Sequence, residues 1–85
     1  MAYKLIFDEE AIKFLEKLPK NVSKRIFQKL QDAKEDPYHY FVRLANRKEY
    51  KLRIGDYRVI ADINDSEIVI YIIIIGRRKN IYKKF

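Results

Sequence analysis

Three cationic side chains in the middle of the chain are spaced so that one face of a β-hairpin would carry them together. Lys51 and Arg53 alternate with apolar residues, Gly55-Asp56 is a two-residue turn signal, and Arg58 follows on the returning strand. Alternation of side chains then puts Arg53 opposite Arg58, with Lys51 on the same face. Like charges placed opposite each other destabilise a sheet, and guanidinium groups fit phosphate well. The pattern predicts an anion site; the alternative is a solvated set of cations screened by water.

Positive charge is concentrated in the second half of the chain. The net charge is +7, and residues 1–42 hold eight Lys/Arg against seven Asp/Glu, whereas residues 43–85 hold eleven against five. This asymmetry favours a polyanionic partner such as nucleic acid, although a cation-rich solvated surface would have the same composition. Read alone, the basic run Arg77-Arg78-Lys79 is a solubilising segment.

The apolar spacing in the first half predicts a strand followed by two helices. Residues 3–7 alternate as a short strand, and Asp8 has the position and type of a helix N-cap. Apolar residues then recur at helical spacing until Pro19, and a second helix starts near Asn21 and ends before Pro37. Two helices joined by so short a link form an antiparallel hairpin.

The second half is typical of a sheet. Residues 50–54 and 57–63 are the two strands of the hairpin, and the almost unbroken apolar run 67–75 indicates a central strand buried on both faces. Residues 37–46 are expected to form a loop that passes into an irregular strand. Residues 77–85 are expected to form a basic tail.

The predicted fold class is α+β, with an N-terminal helical hairpin packed on one face of a small twisted, mainly antiparallel β-sheet. A length of 85 residues predicts a single domain over residues 1–85. The chain lacks cysteine, its opening is unlike a signal peptide, and the apolar run Ile68–Ile75 is too short to cross a bilayer. We therefore expect a cytoplasmic protein with no membrane partner.

Most catalytic machinery is missing from the sequence. His39 is the sole histidine and is expected to be a loop residue, no cluster of metal ligands occurs, and Gly55 and Gly76 cannot make a glycine-rich phosphate loop. No metal and no cofactor are therefore expected. If the chain cuts a substrate, Lys, Arg and Tyr must do the chemistry.

Two segments carry a resemblance to a known family. Arg53-Ile54-Gly55-Asp56-Tyr57-Arg58-Val59-Ile60, then a hydrophobic strand, then Arg77-Arg78-Lys79-Asn80-Ile81-Tyr82 resemble the RelE/ParE toxin superfamily. The helix pair ending in Leu18-Pro19-Lys20 also fits, so the resemblance covers essentially the whole chain. It implies a toxin of a type II toxin–antitoxin system with the RelE-like fold, a helical hairpin on a twisted sheet.

The RelE branch of that superfamily cuts mRNA in the ribosomal A site without a metal, through attack of the RNA 2′-hydroxyl. By position, its catalytic cluster corresponds to Lys51, Arg53, Arg58, Arg78 and Tyr82. RNA contacts from the tail would come from Arg77, Lys79, Lys83 and Lys84. The resemblance implies Arg58 and Arg78 as charge-stabilising groups and Tyr82 or Lys51 as the base that takes the 2′-proton.

Partners and alternatives follow from the same resemblance. The expected partners are a cognate antitoxin, the ribosome and mRNA, with a toxin that is monomeric when free and heteromeric with its antitoxin. The ParE branch poisons DNA gyrase, so a ParE-like gyrase inhibitor is one alternative function. An inactive basic module that binds nucleic acid or only an antitoxin is the other. This chain has Arg77 where many relatives have histidine, and its spacing from Arg78 to Tyr82 is short.

Overall fold

A mixed β-sheet forms the centre of the molecule. The computed structural model describes the backbone of residues 2–84 and the side chains of residues 2–81. The strands of this part of the chain are β1 (Lys4–Phe7), β2 (Val42–Arg43), β3 (Tyr50–Ile54), β4 (Tyr57–Asn64) and β5 (Val69–Arg77). Their order is β1-β5-β4-β3-β2, with β1 parallel to β5 and the other neighbours antiparallel. The predicted α+β class with a mainly antiparallel sheet is confirmed.

The helical hairpin consists of α1 (Glu9–Lys17) and α2 (Lys20–Ala33). The Asp8 carboxylate caps α1 by accepting a hydrogen bond from the Glu10 backbone N–H at 3.1 Å. Ile26 and Leu30 of α2 are fully buried in a core that also contains Leu52 and other residues from the same face of the sheet. The hairpin therefore covers one face, as predicted, because its apolar residues recur at helical spacing.

The strand β5 lies between β1 and β4 and is buried on both faces, which confirms the prediction of a central strand. Ile70 and Ile72 belong to the core beneath the helical hairpin, whereas Ile74 belongs to a smaller core on the opposite face. The strand has the predicted length of nine residues but begins and ends two residues later than predicted. Tyr57 and Arg58 pair with residues 77 and 76, so β5 continues two residues beyond the predicted end at residue 75.

The loop expected at the start of residues 37–46 and the basic tail were wrong predictions, whereas the strand expected after that loop is present. Residues 37–46 contain the short helix α3 (Pro37–Tyr40) and then β2, and residues expected to form a basic tail form α4 (Arg78–Lys84). This last helix packs on the second face of the sheet through Ile81, which is 1% exposed. A Cβ on Gly76 would lie 3.5 Å from the Ile81 Cβ, an ordinary van der Waals contact, so α4 packs directly over this residue. No helix in the described part of the chain is long and apolar enough to cross a membrane.

Candidate functional site

The β3–β4 hairpin has the register that the sequence predicts. Arg53 pairs with Arg58, and Lys51 pairs with Ile60. Lys51, Arg53 and Arg58 therefore project from the face of the sheet that α4 partly covers. Gly55 begins the turn with φ of 58°, a left-handed conformation that glycine adopts without steric cost.

Arg58 is held rigidly under this surface. Its side chain is only 7% exposed. Among the described residues it is the charged residue that is buried. Its Nη1 donates to the Gly55 carbonyl at 2.8 Å and to the Tyr57 carbonyl at 2.9 Å. Burial of a guanidinium is costly unless its donors are satisfied, and the turn supplies the acceptors. The sequence predicted that an external anion would compensate the charge of Arg58. Two backbone carbonyls accept its hydrogen bonds instead.

Arg53 lies at the edge of the sheet. The strand β2 pairs only with Tyr50 and Lys51, so the outer edge of β3 beyond Lys51 has no strand neighbour in the described residues. Arg53 is exposed at this free edge and is one of the residues that line a groove against α2. It is directly paired with Arg58 in the sheet.

Lys51 sits among apolar neighbours. Across the sheet it pairs with Ile60 on one side and with Val42 on the other. It is half-buried, and its partner Ile60 belongs to the small core that contains Ile81. Such a lysine can reach a bound phosphate while its stem packs on apolar surface.

The start of α4 is tied to the same hairpin turn. The Arg78 backbone N–H donates to the Asp56 carbonyl at 2.8 Å. Because Gly76 pairs with Arg58, the exposed Arg78 begins its helix close to the buried guanidinium. A depression of about 460 Å³ lies here, lined by Asp56, Arg77, Arg78, Lys79 and Asn80. Arg58 and the start of α4 thus lie at the same end of the sheet.

The remaining predicted site residues lie on or next to α4. Arg77 faces the opposite side from Arg58, with its guanidinium carbon 5.8 Å from the centre of the Tyr57 ring. Lys79 is exposed on α4. The side chains of Tyr82, Lys83 and Lys84, predicted as the catalytic phenol and as RNA contacts, lie outside the described residues.

Sequence reasoning missed the cations of α2. The groove that Arg53 lines is also lined by Lys24, Arg25 and Lys29. Their spacing along α2 could have revealed them, because residues three or four apart share one face of a helix. His39 was expected in a loop, but it lies in α3, where its ring packs edge-on against Tyr40 at 5.0 Å.

The shifted pKa values lie at the far end of the sheet from this surface. The hydroxyls of Tyr38 and Tyr3 donate to Asp65 Oδ1 at 2.7 and 2.8 Å. These hydrogen bonds lower the pKa of the Asp65 carboxyl, and the Asp65 hydrogen bond raises the pKa of Tyr3. The cluster fastens the β4–β5 turn to α3 and to the start of the chain, so its role is structural.

Comparison with known proteins identifies similar sequences. Residues 5–82 match the model of a family described as ParE toxin of type II toxin–antitoxin system, parDE. The mRNA interferase toxin RelE of Escherichia coli is 33% identical over 82 residues, which cover 93% of this chain and 86% of that protein. The mRNA interferase RelE of Shigella flexneri shows the same identity and coverage.

Solved structures show the same fold. A chain of the intact RelBE toxin–antitoxin complex of Escherichia coli superposes with a TM-score of 0.77 at 30% identity, covering 89% of this chain and 96% of that one. A chain of the archaeal RelE–RelB complex of Pyrococcus horikoshii superposes with a TM-score of 0.79 at 27% identity, covering 92% and 97%.

Proposed function

This chain belongs to the RelE/ParE superfamily of toxins of type II toxin–antitoxin systems, and we propose that it is a ribosome-dependent, metal-independent mRNA endoribonuclease restrained by a cognate antitoxin. The relatives named mRNA interferase support a nuclease over a gyrase inhibitor. The similarity to RelB–RelE complexes supports an antitoxin partner and a toxin that is monomeric when free. The observation that carries the proposal is the buried Arg58, anchored by carbonyls on the same face as Lys51 and near the start of α4.

The proposed reaction uses the nucleophile that RNA itself provides. The 2′-hydroxyl at the cut site attacks the adjacent phosphorus in line with the departing 5′-oxygen. A new P–O bond forms as the old one breaks, which gives a 2′,3′-cyclic phosphate and a 5′-hydroxyl. A base takes the 2′-proton, and the leaving oxygen acquires one. The protein must therefore stabilise negative charge on the phosphoryl oxygens and accept a proton.

Arg58 and Arg78 are proposed to stabilise that charge. Fixed cations that need no reorganisation during the reaction are effective in this role, above all where water is scarce. Both described hydrogen bonds of Arg58 use Nη1, which leaves Nη2 and Nε to contact a phosphate. Arg78 is exposed beside it and can close on the same group. Lys51 or Tyr82 is the proposed base. Of these two side chains, that of Lys51 is among the described residues.

The proposal is tested by mapping cuts on a message translated in vitro with the purified chain. The wild type is expected to cut in the A site, and Arg78→Ala and Tyr82→Phe should each lower the single-turnover rate about 100-fold. A matched control is Lys17→Ala, which removes an exposed cation from α1 on the opposite face and should cut normally. The products should end in a 2′,3′-cyclic phosphate and a 5′-hydroxyl, as attack by the 2′-hydroxyl requires.

Two results would overturn the nuclease assignment. A wild type that makes no cut but stops supercoiling by DNA gyrase would be a ParE-like inhibitor. A wild type that does neither would be a basic binding module. The antitoxin is tested separately by co-expression with the product of the adjacent reading frame, which should yield a stable heteromeric complex. A chain that is non-toxic and remains monomeric without binding that product would contradict a toxin role.

A further inference from the structure

A second basic surface lies where α2 runs past the β3–β4 turn, on the helical-hairpin side of the sheet. It is a groove of about 630 Å³, called the α2 groove below. Ile54 and Gly55 of the turn line one side of it, and polar residues of α2 line the other. Its cations come from two elements distant in sequence: Lys24, Arg25, Lys29 and Arg53.

These cations are not neutralised by the protein. Among the described side chains none of them forms an ion pair with a carboxylate; the pair that forms joins Lys13 to Glu9 on α1. The acid of the groove, Asp32, accepts a hydrogen bond from Gln28 Nε2 at 3.3 Å. Lys29 has its ammonium nitrogen 5.0 Å from the centre of the Tyr40 ring. Lys24, Arg25 and Arg53 are therefore available to an external anion.

The charge pattern on α2 has a cost that stability alone does not explain. Arg25 and Lys29 are four residues apart and adjacent on one helix face, where like charges destabilise a helix by about 0.2–0.5 kcal/mol. Asn21 and Gln28 add amide groups to the same face. The lining of α2 extends from Asn21 to Asp32, about 16 Å at the rise of an α-helix. An extended polyanion would relieve the repulsion along that whole length.

The groove adjoins the hairpin turn that anchors Arg58. Arg25 Nη2 lies 3.6 Å from the position that a Cβ of Gly55 would occupy, so α2 and the turn are in close contact. The Gly55 carbonyl on the same turn accepts the hydrogen bond from Arg58. Arg53, at the free edge of β3, lines the groove although it is paired with Arg58 in the sheet. A bound polyanion that extends from Arg58 around the hairpin turn would next meet Arg53 and then α2.

We propose that the α2 groove binds the sugar–phosphate backbone of RNA, and that Arg53 serves this groove rather than the chemical step. The identity of the polyanion as RNA rests on the proposed function, which assigns the adjoining Arg58 surface to RNA. Guanidinium groups and side-chain amides are donors that phosphate and ribose oxygens accept, and a flexible backbone can follow a groove of this length. An acidic protein segment is the competing occupant.

The test measures binding apart from cleavage. The probe is a fluorescein-labelled 15-nucleotide single-stranded RNA with 2′-O-methyl groups, which cannot be cut, and anisotropy titrations are run over a range of salt concentrations. Each phosphate contact contributes about 0.7 to the slope of log affinity against log salt for a single strand. The double variant Lys24→Gln/Arg25→Gln should therefore flatten the slope by about 1.4 and bind several-fold more weakly. Lys13→Gln/Lys17→Gln on α1 is the control of equal charge and should change the slope little.

The outcomes separate this inference from the proposed function. An unchanged slope in a folded double variant, with cleavage intact, overturns the groove and leaves the nuclease standing. A flattened slope in a chain that cuts nothing keeps the groove and overturns the nuclease. Loss of antitoxin binding with RNA binding unchanged assigns the groove to an acidic protein segment instead. For Arg53→Ala, the ribosome concentration needed for half-maximal cleavage should rise without loss of rate at saturation; a loss like that of Arg78→Ala overturns its assignment to the groove.

Discussion

Replacing Ile81 with alanine tests how α4 is held on the sheet. Ile81 is 1% exposed and packs with Ile60 and Ile74, which are 0% and 7% exposed, in the small core of that face. Removing a buried isoleucine side chain to its Cβ typically costs about 2–5 kcal/mol, from lost burial and from the cavity left behind. The helix spans seven residues, well below the length at which an isolated helix is stable in water.

The short length of α4 limits the expected loss. When docking becomes unfavourable, the helix can detach while the sheet and the helical hairpin keep their own core. The free energy of global unfolding should therefore fall by about 2 kcal/mol, the low end of the range for such substitutions. Ile81→Val keeps most of the contact and should cost about 0.5–1.5 kcal/mol with the helix still docked.

Urea unfolding combined with amide hydrogen exchange distinguishes the two responses. In Ile81→Ala, the α4 amides should lose protection whereas those of β4 and β5 keep it, because local opening becomes cheaper than global unfolding. The rate of cleavage should also fall, because Arg78 is the first residue of this helix and would move with it. Wild-type protection of the α4 amides would refute the reasoning, as would a loss near 5 kcal/mol in which helix and sheet unfold together.

Two further predictions concern the turns at the ends of β4. Gly55→Ala should destabilise the fold by about 1–2 kcal/mol in urea, because φ is 58° there; Gly55→Asn, which tolerates that conformation, should cost less, and equal losses would contradict the argument. The lowered pKa of Asp65 contributes stability that is present above about pH 4 and lost as the pH falls below it, chiefly through the Tyr38 hydrogen bond. Asp65→Asn should thus be less stable than wild type at pH 7, and the difference should shrink at pH 3; a constant difference would show that ionisation of Asp65 is not involved.

The hairpin could be predicted from the sequence because its register depends on local features. A two-residue turn fixes which residues face each other, and Gly55 supplies the left-handed backbone that such a turn needs. Alternation of side chains then assigns Leu52 and Val59 to the face beneath the helical hairpin, where both are buried. Neither step depends on distant parts of the chain.

The last helix could not be predicted in the same way. Residues 77–80 are three cations and an asparagine, and one apolar residue, Ile81, follows them in the described side chains. That pattern has no helical periodicity to detect, and the helix is held by tertiary contact with Ile60 and Ile74. The helix packs over Gly76, a residue that in the sequence indicates the end of a strand. Tertiary docking of this kind overrides weak local preference.

The pairing of Arg53 with Arg58 shows where an argument from repulsion reaches its limit. The sequence gives the two guanidinium groups opposite positions, from which an anion between them was predicted. In the structure the Arg58 guanidinium donates to two backbone carbonyls, so its burial is compensated without a ligand, and Arg53 lies at a free edge. What still favours an anion is that neither arginine meets a carboxylate in the described residues, and that Arg53 joins further unpaired cations on α2. The case for RNA therefore rests on two adjoining surfaces, one rigid at Arg58 and one extended along α2, rather than on a single cluster.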